Sequence, residues 1–324
     1  MPVESSLEVY KIILGGQTFT EIIRKKNLIS SDEKSTETEL FKLLFNNILD
    51  KLVQDAAWTT DKTKYGLALF KNNNEDINKI ITCHSNKNVI EGYIDCGPYD
   101  LVRRVAQTNK VSDRKLLGKD QMVTDRYYIY LYCPMDSEMG LLFLEHKKGF
   151  NVYKAIQCFM EEIFKTKGRT FMLERYVPQS IIEEYKDDSE VDSFTFTDTI
   201  ITPLIDENDI VNEENKCKVS IKISLPEGVR PNYDSTQNLL SKIGSATIKI
   251  GKDVKKLGDF RSRKGSLKKN ANKYLFDISE NLKIKPIIPI KGDIYDIDNS
   301  ILKRDEIRKM CNEILDQIKK EIII

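Results

Sequence analysis

The chain has 324 residues and a formal net charge of +1, and it is 40% hydrophobic and 31% charged. That apolar fraction is enough for packed cores, which excludes a largely disordered chain, and the length favours two domains. The near-neutral total excludes a polycation and an acidic solvating protein, so electrostatic recognition must come from local charge.

No basic region followed by an apolar core opens the sequence, and no run approaches the roughly 18 apolar residues of a membrane span. Six cysteines without a C-x-x-C pair predict reduced thiols in a cytoplasmic protein that has no membrane contact. Two histidines exclude a metal site of several imidazoles, and no nucleotide-binding motif is present. We therefore expect no metal and no cofactor.

The first part of the chain predicts strands around one strong helix. Residues 7–14 predict a strand, and Thr36 with Glu39 forms a capping box before a helix with an apolar residue at every fourth position. Further strands are predicted at 65–70, 77–83 and 89–96.

The clearest predicted unit runs from 125 to 167. Strands at 126–133 and 141–147 are joined by a turn, and Asn151 is expected to cap the following helix. That helix presents one apolar face, formed by Val152, Ile156, Phe159 and Ile163. Gly168 is a suitable end, so we place a domain boundary there.

The second half predicts strands at 191–201, 216–225 and 245–250, with a helix at 235–243 between the last two. An amphipathic helix closes the chain from about Lys303, with a predicted buried stripe of Ile307, Met310, Ile314 and Ile318. The fold class is therefore α+β, with two domains at 1–167 and 168–324. We expect mostly antiparallel sheets and packed amphipathic helices.

Two oppositely charged segments lie in this second half. Residues 174–214 contain 13 acidic and two basic residues, and residues 247–273 contain ten basic and two acidic residues. The basic segment, which we interpret as turns or a loop, offers phosphate-binding candidates in Lys252, Lys255, Lys256, Arg261, Arg263, Lys264, Lys268, Lys269 and Lys273. Two alternatives stay open: solvated lysines on a hairpin, or pairing of the basic segment with the acidic one.

One short motif resembles the restriction-endonuclease-like nucleases. Glu145 and Lys147 form an E-x-K at the end of an apolar strand, and alternation places both on one side of it. The resemblance implies that Glu145 and an acidic partner, best supplied by Asp125, hold Mg²⁺ while Lys147 positions water. Asp125 is several residues out of register, and the alternative is a structural ion pair at a sheet edge.

The leading hypothesis from the sequence is a nucleic-acid-binding protein of bacterial or phage type, which fits a defence or mobile-element role. It contacts phosphates through the basic segment. The alternatives are a Mg²⁺-dependent nuclease using Asp125, Glu145 and Lys147, and a non-enzymatic subunit that binds a protein partner or forms a homo-oligomer.

Overall fold

The fold contains both helices and antiparallel sheets, which confirms the α+β class. Two compact units divide the chain: Met1–Tyr176 together with Pro289–Ile324 is the first, and Val177–Ile288 is the second. The second unit is thus inserted into the chain of the first. The computed structural model describes residues 5–30, 34–54, 57–69, 76–100, 102–107, 110–147, 152–186, 190–203, 214–226, 231, 233–250, 253–269, 272–278, 284–290, 292–296 and 301–322.

The first unit is built on an antiparallel sheet with helices packed against it. Its strands before the insertion are β1 (Ser5–Ile13), β2 (Trp58–Thr60), β3 (Tyr65–Ala68), β4 (Ile81–His84), β5 (Val89–Pro98), β6 (Arg103–Gln107), β7 (Lys110–Leu117), β8 (Asp125–Tyr132), β9 (Met139–Lys147) and β10 (Met172–Tyr176). Its helices there are α1 (Phe19–Lys26), α2 (Glu37–Leu52), α3 (Ile77–Ile80) and α4 (Tyr153–Phe164). The strand order is β10-β1-β9-β8-β5-β3-β2, with β4 also paired to β5 and with β6 and β7 as a separate hairpin.

The second unit contains a five-stranded sheet. Its elements are α5 (Gln179–Lys186), β11 (Glu190–Pro203), β12 (Glu214–Ser224), α6 (Tyr233–Ser245), β13 (Thr247–Ile250), β14 (Asp253–Lys256), β15 (Ser262–Lys269), β16 (Asn272–Ile278) and β17 (Ile284–Pro286). The sheet order is β12-β11-β15-β16-β17, and β13 pairs with β14. The remaining elements are β18 (Ile288–Pro289), β19 (Tyr295–Asp296), β20 (Ile301–Leu302) and α7 (Arg304–Glu321).

Helices cover both faces of the first unit's sheet. On one face, α2 and α4 bury an apolar layer against strands β3, β5 and β8, formed by Ile48, Leu52, Leu67, Ile90, Ile94, Ile129, Leu131, Ile156, Phe159 and Met160. On the other face lies α7, where the Tyr130 hydroxyl donates to Asn312 Oδ1 at 2.7 Å. Strand alternation explains why the apolar layer and Tyr130 lie on opposite faces of the sheet, because Ile129 and Leu131 point away from Tyr130.

The position of α7 differs from the predicted domain limits. The predicted boundary near Gly168 lies inside the first unit, and residues 289–324 belong to that unit too. The buried residues of α7 are Ile307, Cys311, Ile314, Leu315 and Ile318, and the helix lies on the sheet face that carries Tyr130. An amphipathic stripe shows that a helix is packed, but it does not identify the surface that it packs on.

Most predicted elements of the first unit are confirmed, including β1, the capped helix α2, the pair β8–β9 and α4. The segment 77–83 is different, because Asp76 caps one helical turn before β4 begins at Ile81. The Asp76 carboxylate accepts from the Asn78 amide at 3.0 Å, which favours the helical turn locally. The predicted cap Asn151 lies outside the described residues, and α4 begins at Tyr153.

The core of the second unit lies on one side of its sheet. It is formed by Val191, Phe194, Phe196, Leu240, Leu257, Phe260, Leu267, Phe276, Ile278 and Ile284. The rings of Phe194 and Phe276 meet edge to face at 6.4 Å between centroids. Gly265 is required beside them, because a Cβ there would lie 2.0 Å from the Phe276 ring. The predicted strand 191–201 and the alternating strand 216–225 are confirmed as β11 and β12.

Candidate functional site

The predicted nuclease pair is buried within the first unit's sheet. Glu145 is 1% exposed and Lys147 is 6% exposed, and 3.9 Å separates Glu145 Oε1 from Lys147 Nζ. Lys147 also donates to the Arg126 carbonyl at 2.7 Å, and its ammonium lies 5.2 Å from the centroid of the Tyr127 ring. Strand β9 lies between β1 and β8, so the pair is not at a sheet edge.

Glu145 acts as a hydrogen-bond acceptor where two strands separate. The paired register of β8 and β9 ends at Ile129 and Leu144, so the next amide of β8 has no carbonyl opposite it. Glu145 Oε2 accepts from that amide, Tyr128 N, at 3.0 Å, and Oε1 accepts from the Ser5 hydroxyl at 3.0 Å. Burial raises the pKa of Glu145, and Lys147 and these hydrogen bonds oppose the rise.

Asp125, the predicted partner carboxylate, begins β8 and pairs in register with Cys96. Alternation places it on the other side of β8 from Tyr128, whose amide Glu145 binds. Its charge adds slightly to the raised pKa of Glu145. Both oxygens of Glu145 accept hydrogen bonds from protein donors, so the role that these contacts show for Glu145 is structural. The nuclease hypothesis stays a prediction.

The predicted basic segment is mostly strand rather than loop. Its described parts form β13, β14, β15 and the start of β16. The strand continuity follows from alternating side chains such as Lys264 and Ser266 beside Gly265 and Leu267. Lys252 lies outside the described residues, and Lys268, Lys269 and Lys273 are described only as backbone within β15 and β16.

The basic and acidic segments pair within the second unit, which was one of the alternatives. Strand β11 of the acidic segment runs antiparallel beside β15 of the basic segment. Asp198 is 2% exposed and forms ion pairs with Lys255 and with Arg261. Burial opposes the charge of Asp198, but the Lys255 hydrogen bond, the Thr199 amide and Arg261 outweigh it and lower the pKa.

One more of the predicted cations serves the unit's own fold. The Arg263 guanidinium donates to the carbonyl oxygens of Gly258 and Ile278, at 2.5 and 3.3 Å. Lys255 and Arg263 are therefore held by internal contacts. Lys256 and Lys264 are exposed, and so is the Arg261 side chain at 76% despite its ion pair.

The sequence prediction missed a polar face on the second unit's sheet. The register places Thr195 between Lys222 on β12 and Lys264 on β15. Rows of hydroxyl side chains lie on either side of this lysine row. We call the set the polar face, and its members are Ser193, Thr195, Thr197, Ser220, Lys222, Ser224, Ser262, Lys264 and Ser266.

The polar face is the reverse of the unit's phenylalanine core. A groove of about 320 Å³ runs over it, lined by members of all three strands. Lys222 and Lys264 are exposed, whereas Thr195 is half-buried and Ser193 is buried. Carboxylates lie at its margins, since Ser266 donates to Asp192 at 3.2 Å and Asp277 stands opposite Lys264. Period-two alternation at 193–197, 218–224 and 262–266 is the signal that would have revealed it.

A second feature that sequence reasoning missed is a buried carboxylate in the first unit. Glu91 on β5 is fully buried, and the Arg304 guanidinium lies 3.1 Å from each of its oxygens. Glu91 also accepts from the Tyr128 hydroxyl at 3.1 Å and contacts Arg308 and His84 at 3.4 and 3.3 Å. No sequence pattern joins Glu91 to Arg304, because 213 residues separate them.

Arg304 ties the start of α7 to three other elements. Beyond Glu91, it donates to the carbonyl oxygens of Asn78 and Lys79 at 3.2 and 2.6 Å, and to the Thr82 hydroxyl at 2.7 Å. A guanidinium suits this position because its donors are planar and fixed in direction. The contacts make Arg304 the main anchor of α7 on α3, β4 and β5.

Within the described ranges, no helix is long and apolar enough to cross a membrane. Among the same residues, no cluster of three or more His, Cys, Asp or Glu side chains is placed to hold a metal ion. Comparison of the sequence with protein-family models and with characterised proteins finds no match.

Proposed function

We propose that the second unit binds nucleic acid by contacting phosphates through the polar face. The observation that carries the proposal is the row Lys222, Thr195, Lys264, which spans three adjacent strands with hydroxyl rows beside it. Lysine and hydroxyl donors are the groups that most often contact the nucleic-acid backbone. The sheet holds these donors at fixed spacing, since its other side is a packed core.

The composition of the face also favours binding without base recognition. None of its described side chains is aromatic, so it offers no platform for stacking of unpaired bases. Phosphate contacts alone give sequence-independent affinity with a strong dependence on salt. On duplex DNA, each neutralised phosphate contributes about −0.9 to the slope of log K against log salt. Lys222 and Lys264 together should therefore contribute roughly −2.

The test is fluorescence anisotropy of labelled single- and double-stranded DNA with the full chain, in EDTA and at several salt concentrations. The test variant carries Lys222→Glu and Lys264→Glu, which leave the internal ion pairs of Lys255 and Arg261 intact. The matched control carries Lys34→Glu and Lys154→Glu, which make the same change in net charge at exposed positions of the first unit.

We expect the test variant to lose most of its affinity, and we expect its slope of log K against log salt to be less steep by roughly 2. The control should stay close to the wild type in both quantities. Equal losses in both variants would show that only net charge matters and would contradict the proposal. Absence of binding at low salt would leave the polar face solvated and would favour the alternative of a protein-binding subunit, to be sought by pull-down.

A further inference from the structure

A cleft of about 300 Å³ lies in the first unit, beside the buried Glu91. Its walls come from β4, the following turn, β5, β8 and α7, through His84, Lys87, Val89, Tyr130, Arg308 and Asn312. The volume is at the lower end of the range of small-molecule sites. The elements that line it are anchored to one another by Arg304, so the cleft is part of the folded unit.

Hydrogen-bond donors dominate the polar lining. Asn312 Oδ1 already accepts from Tyr130, which leaves the amide Nδ2 of Asn312 as a donor. Lys87 is exposed on the turn after β4. Arg308 contacts Glu91 through Nη1 and Asp305 through Nη2, and it is 35% exposed. His84 contacts the same carboxylate and is 31% exposed.

The two fully charged side chains that line the cleft, Lys87 and Arg308, are both cations, and the carboxylates of Asp305 and Asp316 lie near it but outside the lining. Glu91 is compensated on both oxygens by Arg304, so Arg308 and Lys87 bring additional positive charge. Asp305 pairs with Arg308, but its side chain is 86% exposed and its charge is screened by water. Two cations with a neutral amide donor favour an oxyanion, and a phosphate fits better than a carboxylate because it carries more charge and more acceptor oxygens.

We infer that this cleft binds the terminal phosphate group of a ligand, with Lys87, Arg308 and the Asn312 amide as its donors. Val89 and the Tyr130 ring supply an apolar wall for the part of the ligand next to the phosphate. Glu91 and Arg304 act as positioning residues, because they hold Arg308 and the start of α7. The inference is independent of the polar face of the second unit.

The experiment is calorimetric titration of the full chain at constant ionic strength with inorganic phosphate and with adenosine 5′-monophosphate. A third probe is a short oligonucleotide with or without a 5′-phosphate, added to protein that carries Lys222→Glu and Lys264→Glu. The test variants are Asn312→Asp and Lys87→Glu. Asn312→Asp is isosteric and keeps the acceptor for Tyr130, but it replaces the donor by a carboxylate. Lys154→Glu on α4 is the control.

We expect a phosphate-bearing probe to bind, and we expect each test variant to weaken it by at least about tenfold, the loss of one charge-assisted hydrogen bond. The control should bind normally. Binding of the small probes would identify a free phosphate ester as the ligand source, and binding of only the 5′-phosphorylated oligonucleotide would identify a strand end. If no probe binds, or if Lys154→Glu weakens binding as much as Lys87→Glu, the inference is overturned. Lys87→Glu decides alone if circular dichroism shows that Asn312→Asp does not fold.

Discussion

Tyr128 contacts both buried glutamates of the first unit, Glu145 through its amide and Glu91 through its hydroxyl. The two carboxylates nevertheless depend on different parts of the chain. The cationic neighbour of Glu145 is Lys147, two residues away on the same strand, whereas Glu91 is compensated by Arg304, which is 213 residues distant.

The comparison shows what makes a charged pair look functional. Glu145 and Lys147 match a nuclease motif, yet their contacts complete the backbone hydrogen bonding where β8 and β9 separate. Glu91 matches no motif, yet Arg308, which contacts it, lines an open cleft. A short motif shows only that two residues are close together along a strand. A binding site also requires an open volume next to them.

The largest expected effect comes from Arg304→Leu. It leaves the buried Glu91 charge without its main partner and should lower the free energy of unfolding by about 3–5 kcal/mol. Urea denaturation of the full chain measures this loss. Arg308→Leu is the control and should cost less, because its contact with Glu91 is 3.4 Å long and partly exposed. Similar losses in the two variants would contradict the special role of Arg304.

A smaller effect is expected for Lys147→Met, which keeps the length of the side chain but removes its charge and its donor. The Arg126 carbonyl and Glu145 then lose a partner, so we expect a loss of about 1–3 kcal/mol in the free energy of unfolding. The loss should be unchanged by Mg²⁺ or Mn²⁺. Stabilisation of the wild type by either metal ion, or DNA cleavage that Glu145→Ala abolishes, would instead support the nuclease hypothesis.

Glu145→Gln sharpens the comparison through pH. Since the folded pKa of Glu145 is raised, the folded chain holds a proton that the unfolded chain releases above about pH 4.3, so burial of the charge costs stability as pH rises. The free energy of unfolding of the Gln variant should therefore rise relative to that of the wild type as the pH increases above about 4.3. Denaturation at a series of pH values measures it. A difference that does not vary with pH would mean that Glu145 has an ordinary pKa.

The smallest effect is expected at Asp198 in the second unit. Its folded pKa is lowered, so the ion pairs with Lys255 and Arg261 stabilise the unit above about pH 3.9 and are lost as the pH falls further. Asp198→Asn should cost about 1 kcal/mol at pH 7, and this cost should shrink as the pH falls below about 3.9. Hydrogen exchange of amides in β11 and β15 reports it. Equal protection of these amides in the wild type and in Asp198→Asn at pH 7 would contradict the prediction.

The sequence carried the local features of the fold well. The capping box of Thr36 and Glu39, the alternation in β12 and the hairpin of β8 and β9 depend on neighbouring residues, and all were predicted. The surface on which a helix packs depends on the whole chain. For this reason α7 was assigned to the second domain in the sequence analysis. The polar face and the cleft beside Glu91 were missed for the same reason, because each joins side chains from separate strands or from opposite ends of the sequence.

The return of the chain after the insertion has a consequence for biosynthesis. A ribosome synthesises Glu91 and the rest of β5 long before it adds Arg304. The sheet therefore lacks α7 while the inserted unit is made. During that interval the sheet face that α7 covers, with Tyr128 and Tyr130, is exposed. Contacts so distant in sequence close slowly, and exposed apolar surface promotes aggregation. We therefore expect the nascent first unit to need chaperone protection until the last eighteen-residue helix has emerged.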